Sequence, residues 1–85
     1  MYFVYAIRST RDGRIYVGMT MDIPKRLLEH NSGKTKSTKG YKPWQLIYTE
    51  SLPSRLEARQ REKYLKSGVG KEFLKTLGPV VQWIE

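Results

Sequence analysis

The chain alternates between runs that suit a sheet and runs that suit a helix. "YFVYAIRS" (2–9) is rich in β-branched and aromatic residues and apolar at both parities, with Phe3, Tyr5 and Ile7 on one side and Val4 and Ala6 on the other. A strand apolar on both faces belongs in the middle of a sheet. Asp12-Gly13 then reads as a two-residue hairpin turn, and "RIYVGMT" (14–20) as the return strand. Gly18 sits inside that strand, where glycine marks a bulge or a close approach to the backbone. Asp22 caps a helix with Pro24 in its first turn, running through "PKRLLEHN" (24–31) and stopping before Gly33. "NSGKTKSTKGYKP" (31–43) is a polar, basic loop of about a dozen residues, long enough to point to function. "WQLIYTE" (44–50) is a third strand. Ser54 and Glu57 form a capping box that opens a long helix to Lys66, which Gly68 terminates. "KEFLKTL" (71–77) is a shorter helix broken at Gly78-Pro79, and the apolar tail, residues 79–85, is expected to dock on the body. This order predicts an α+β fold: one domain over residues 1–85, a three-stranded antiparallel sheet flanked by helices in the order β-β-α-β-α-α.

Composition narrows the function. A chain of 85 residues buries only about 60–65% of the surface its unfolded form exposes, so the core is thin. It has no cysteine, which excludes disulfides and a thiolate zinc site. "MYFVYAI" is interrupted by Arg8 and is too short for a signal sequence or a membrane span. These features lead us to expect a soluble cytoplasmic protein, a monomer or weak homo-oligomer. Sixteen Lys and Arg against eight Asp and Glu give a net charge of +8, which suits a polyanionic partner, nucleic acid before any other. A basic surface that is only solvated, or a ribosome-associated protein, is the plainer alternative. A membrane surface fits less well, because no helix joins a broad apolar face to a basic one.

Side-chain parity gathers candidates. With a two-residue turn, Arg11 faces Arg14, Tyr5 faces Thr20 and Tyr16 faces Ser9, and Tyr5, Tyr16, Gly18 and Thr20 share one side of the sheet. A four-residue loop keeps that result; a three-residue loop breaks it. On the first helix Ile23, Leu27 and His30 follow one face, with Arg26 about 60° to its side and four residues before His30. On the long helix Glu62 falls with Ala58 and Leu65, so it points inward. An inward carboxylate must be paired or hold a cation. Periodicity alone favours an ion pair with one of the sixteen basic residues, and it leaves each tyrosine between sheet packing and chemistry.

The run "FVYAIRS...GRIYVGMTMDIPKRLLEHNSG...REKYLKSG" resembles the GIY-YIG nuclease family, in its small single-domain bacterial branch, over roughly residues 2 to 75. The paired motifs correspond to "FVY" ending at Tyr5 and "YVG" from Tyr16 to Gly18; Arg26, His30 and Glu62 match the remaining positions. Phe3-Val4 stand where the family name has Gly-Ile, leaving only the tyrosine of the first motif. The resemblance implies a divalent-metal-dependent endonuclease that hydrolyses phosphodiester bonds in nucleic acid, DNA before RNA, in repair or processing. Glu62 would hold Mg²⁺ (or Mn²⁺), and Arg26 would fork onto the phosphate oxygens. Tyr5 would activate water, its pKa lowered by surrounding cations, and Tyr16 would orient water or phosphate. His30 would assist proton transfer or lock Tyr16.

Substrate grip is expected from Lys34, Lys36, Lys39 and Lys42, with Tyr41 and Trp44 offering base stacking, and from Arg61 among Arg55, Arg59, Lys63 and Lys66 on the long helix. Gly18 would leave clearance for a phosphate backbone. About five phosphate contacts would give a salt slope of about −4 to −5. The alternatives are a nucleic-acid-binding module with little or no catalysis, and an interaction protein whose apolar tail docks a partner.

Overall fold

The computed structural model describes residues 1–78. The expected docking of the tail therefore lies outside the described residues. Strands β1 (Tyr2–Ser9), β2 (Ile15–Thr20) and β3 (Trp44–Leu52) form an antiparallel sheet in the order β2-β1-β3. The doubly apolar strand is central, as its pattern predicts. Helix α1 (Ile23–Ser32) follows β2, while α2 (Arg55–Lys66) and α3 (Gly68–Lys75) follow β3.

The faces follow the parity of β1. Val4, Ala6, Val17 and Ile47 pack with Ala58, Leu65 and Leu74, so α2 and α3 cover one side. Tyr5, Ile7, Trp44 and Leu46 pack with Ile23, so α1 covers the other. A register shift between Ala6 and Ile7 lets β3 change pace against β1.

Caps set the helix ends. Asp22 accepts from the Lys25 amide, and Gly33 closes α1 at a φ of 84°, a conformation that glycine adopts without penalty. Ser54 accepts from the Glu57 amide while its hydroxyl donates to the Glu57 carboxylate. Ser67 ends α2 and opens α3. Its cap lets α3 begin at Gly68, earlier than the pattern of "KEFLKTL" predicts.

The hairpin turn differs from expectation. Tyr5 pairs with Gly18 and Ile7 with Tyr16, so the loop is the four residues Thr10 to Gly13, not Asp12-Gly13 alone. The reason is Ser9, whose buried hydroxyl accepts from the Arg11 amide at 3.0 Å, while its carbonyl accepts from the Gly13 amide at 2.9 Å. Gly13 takes a φ of 81° to close the loop. A four-residue loop shifts the register by an even step, so Tyr5, Tyr16 and Gly18 still share a face.

Candidate active site

On the α1 face, β1 supplies Tyr5, β2 supplies Tyr16 beside Gly18, and α1 supplies Arg26 and His30. The Tyr5 hydroxyl and His30 Nε2 are 2.8 Å apart, and His30 Nδ1 lies 2.8 Å from Thr38 Oγ1. All three residues are almost wholly buried. Tyr16 is half-buried, its ring 4.9 Å from the His30 ring in an edge-on contact and 6.3 Å from that of Tyr5. His30 thus serves Tyr5 by hydrogen bonding and Tyr16 by packing.

Gly18 has a different use from the one expected. A Cβ there would stand 2.6 Å from the Tyr5 hydroxyl oxygen, 2.7 Å from Tyr5 Cζ and 3.0 Å from Tyr16 Cε1. The space over this glycine is filled by the Tyr5 phenol, not left clear for a phosphate backbone.

Electrostatics corrects a second expectation. Burial pushes the Tyr5 phenol up to about 12, and the neighbouring Arg26 guanidinium offsets only part of that rise. Burial lowers His30 from its ordinary 6.5 to about 4, with the positive charge of Arg26 adding to the effect. The resting pair is a neutral phenol against a neutral imidazole, where sequence reasoning expects cations to make the phenolate accessible. Desolvation wins because both groups are enclosed by the apolar face. Proton transfer from that phenol to that imidazole is strongly uphill in this resting state.

Arg26 holds its charge against burial, because Glu29 and Tyr5 stabilise the cation more than burial penalises it. Its Nη1 lies 3.0 Å from Glu29 Oε1, a pair one helical turn apart. Glu62 comes from α2, across the sheet. Its carboxylate side chain is 19% exposed, and its ion-pair partner is Lys66 at 3.1 Å. Its charge is felt at Tyr5, where it opposes ionisation. The carboxylate also lines an open groove of about 320 Å³ with Arg59, Gln60, Lys63 and Lys66. Among the described residues no three His, Asp or Glu side chains gather into a metal cage. The donor set at Glu62 is one carboxylate facing an open groove, and a Mg²⁺ held there would displace the Lys66 ammonium and draw its other oxygens from water and phosphate.

The outer residues divide. Lys34, Lys36, Lys39 and Lys42 are exposed. Tyr41 is not free to stack: Arg14 covers its ring at 3.5 Å and it packs against the Tyr5 cluster. Trp44 is buried, its indole N–H donating to the Thr38 carbonyl at 2.9 Å. Arg61 is held by Glu50 at 2.9 Å and lies over the Tyr64 ring, so it serves packing between α2 and β3. The thin core recruits Trp44 and Tyr41, and an ion pair holds Arg61, where the pattern assigns all three to substrate contact.

Two participants, Thr38 and Asn31, escape sequence reasoning, and a third, Glu29, is overlooked by it. Thr38 has no periodic signal, because its 3₁₀ turn (Lys39–Tyr41) folds back onto α1 only in three dimensions. Asn31 clasps the Trp44 backbone, accepting from its amide at 2.6 Å and donating to its carbonyl at 3.1 Å, which fastens the loop over the site. Glu29 was legible: its position three residues after Arg26 on a helix is a pairing signal.

Residues 1–75 match the model of the GIY-YIG catalytic domain. A UPF0213 protein of Staphylococcus saprophyticus is 35% identical over 77 residues, covering 89% of this chain and 93% of its own. One of Halobacterium salinarum is 43% identical over 67 residues, covering 78% and 86%. The solution NMR structure of the UPF0213 protein BH0048 from Bacillus halodurans has a TM-score of 0.54 at 38% identity, covering 89% of this chain and 84% of that one.

Proposed function

Because the chain belongs to the GIY-YIG catalytic domain family, we propose that it is a divalent-metal-dependent endonuclease acting on nucleic acid, DNA before RNA. The observation that carries this reading is the buried 2.8 Å contact between the Tyr5 hydroxyl and His30 Nε2, with Arg26 against the same phenol. A protein with only structural needs gains little from burying a proton-active pair beside a guanidinium.

Arg26 binds two non-bridging phosphate oxygens in its planar fork, releasing Glu29. Phosphate neutralises the Arg26 charge, which adds to burial in holding His30 low, and its own negative charge favours the imidazolium. The attacking water gives its proton to the Tyr5 oxygen as the Tyr5 proton passes to His30 Nε2. No free phenolate forms on this route, which matters because the bound phosphate raises the cost of one. Tyr16, half-buried beside His30, orients the water. Glu62 holds Mg²⁺ or Mn²⁺, which when bound supplies charge neutralisation at the phosphoryl group and the departing 3′ oxygen.

The test is a cleavage panel of single-stranded, duplex, flapped and branched DNA and RNA, with and without Mg²⁺ or Mn²⁺. Metal-dependent cleavage that Glu62→Ala abolishes while nucleic-acid affinity persists is the expected result. Salt-sensitive binding with no turnover on any substrate would leave a binding module. Cleavage that ignores chelation would overturn the metal role.

A further inference from the structure

We propose that Thr38 is a positioning residue: its hydroxyl fixes His30 in the tautomer protonated at Nδ1, so that Nε2 is held as an acceptor for the Tyr5 proton. The catalytic consequence rests on the nuclease reading, whereas the tautomer itself stands on the hydrogen-bond geometry around a neutral imidazole.

The hydrogen-bond partner of the Tyr5 phenol oxygen among the described residues is His30 Nε2 at 2.8 Å, and the Arg26 guanidinium whose charge it feels can only donate. If Nε2 also carried a proton, the phenol hydrogen would be buried without an acceptor. The phenol therefore donates to Nε2. A neutral imidazole then bears its hydrogen on Nδ1, and the group 2.8 Å from Nδ1 is Thr38 Oγ1. Once that oxygen accepts from Nδ1, its own hydrogen points to the Thr35 carbonyl at 3.4 Å. The chain Tyr5 to His30 to Thr38 to Thr35 thus has one direction throughout. Thr38 is held in place independently of its side chain: its amide donates to the Thr35 carbonyl at 3.1 Å, and its carbonyl accepts the Trp44 indole N–H. Removing the hydroxyl thus leaves the turn's backbone anchors intact.

In the opposite tautomer Nε2–H faces the phenol oxygen, and no lone pair remains to receive the Tyr5 proton. The imidazole ring would be present, packed and inert in the relay. When the proton arrives in the native tautomer, His30 becomes imidazolium with Nδ1–H already pointing at Thr38, so no group has to turn over during the step.

His30 is the only histidine, so its ring nitrogens are identified without ambiguity in the ¹⁵N spectrum of the full labelled chain. At neutral pH the expected signature is a protonated, pyrrole-type Nδ1 and a pyridine-type Nε2. Thr38→Ser should keep it, while Thr38→Val, close in shape, should populate the Nε2-protonated form. With the substrate that the cleavage panel identifies, Thr38→Val should lower kcat by about tenfold to a hundredfold, the scale seen when the partner that orients a metal-bound histidine is lost, with KM little changed and Thr38→Ser restoring the rate. A pyrrole-type Nε2 in the unmodified chain overturns the proposal, and needs no variant to fold. Unchanged tautomer populations in Thr38→Val also overturn it. The expected tautomer in a chain that cleaves nothing supports the positioning of His30 and overturns the nuclease reading instead.

Discussion

Val4 and Ala6 point to one side of β1, Tyr5 and Ile7 to the other, and the two sides keep different company. Against α2 and α3 the sheet buries an aliphatic cluster of Val4, Ala6, Val17, Ile47, Ala58, Leu65 and Leu74, with no hydrogen-bonding side chain among them. Against α1 it buries Tyr5 together with His30 and Thr38, joined by hydrogen bonds, and Trp44, tied to Asn31 and the Thr38 carbonyl. A chain this small cannot build a separate stabilising core and a separate cleft. It divides the labour across the sheet instead, one face dry and shape-specified, the other polar and sensitive to any unpaired group.

The largest effect should come from breaking the dry face. Leu65→Ala should destabilise by about 2–5 kcal/mol through lost burial and a residual cavity, read from the urea midpoint at unchanged slope. Gly70→Ala should cost at least about 3 kcal/mol, because its Cβ would run into the Tyr64 carbonyl oxygen and stand 2.5 Å from Leu65 Cα, backbone that cannot swing aside. Neither change should alter the His30 ring shifts in the folded protein. If Leu65→Ala changes them, the two faces are one cooperative unit and the contrast fails.

Acid should act on the polar face. His30 ionises at its ordinary 6.5 in the unfolded chain and at about 4 in the fold, so between those values the unfolded state binds the extra proton. Stability should therefore be fully present above pH 6.5 and fall as pH drops toward 4, by about 3 kcal/mol in all, at about 1.4 kcal/mol per pH unit. His30→Gln should flatten that part of the pH–stability profile. A profile unchanged by the substitution would show that His30 is not buried neutral.

Gly18→Ala sharpens the comparison with Gly70. Its Cβ would meet the far end of the Tyr5 side chain, not backbone, so the ring can yield. We expect a smaller loss, about 1–3 kcal/mol, measured by the same denaturation, but with the Tyr5–His30 hydrogen bond disrupted and the His30 ring shifts moved. The two glycines would thus separate damage to stability from damage to the relay.

What could be read in advance follows from the same division. The fold was legible because both parities of β1, the caps at Asp22 and Ser54 and the end of the long helix at Lys66 are local signals that packing did not override, although Ser67 and not Gly68 makes that end. Parity also placed Tyr5 and Tyr16 together, since the actual loop differs from the expected one by an even number of residues. The roles of Gly18, Trp44 and Tyr41 were not legible. Each depends on what fills a space: a phenol over Gly18, the α1-face core around Trp44, the Arg14 guanidinium over Tyr41. The direction of the Tyr5 and His30 shifts was missed for a related reason. Counting cations in a sequence says nothing of how much water the fold removes, and here desolvation outweighs charge.

The smallest effect on stability should come from the loop lysines. Lys34, Lys36, Lys39 and Lys42 are exposed, and among the described residues none forms an ion pair. Changing all four to Gln should leave stability within about 0.5 kcal/mol per site. If the loop grips phosphates, the same change should flatten the slope of log K against log salt by about 0.9 for each phosphate that is no longer neutralised on duplex DNA. Arg61 is the control from the other face: pinned by Glu50 at 2.9 Å, Arg61→Gln should cost up to about 1 kcal/mol of stability and leave the salt slope unchanged. The two substitutions thus predict opposite patterns from residues of the same charge. A reversed outcome, with Arg61 setting the slope and the lysines inert, would move the nucleic-acid path from the α1 loop to the α2 face, where Glu62 already lines a groove with Arg59, Lys63 and Lys66.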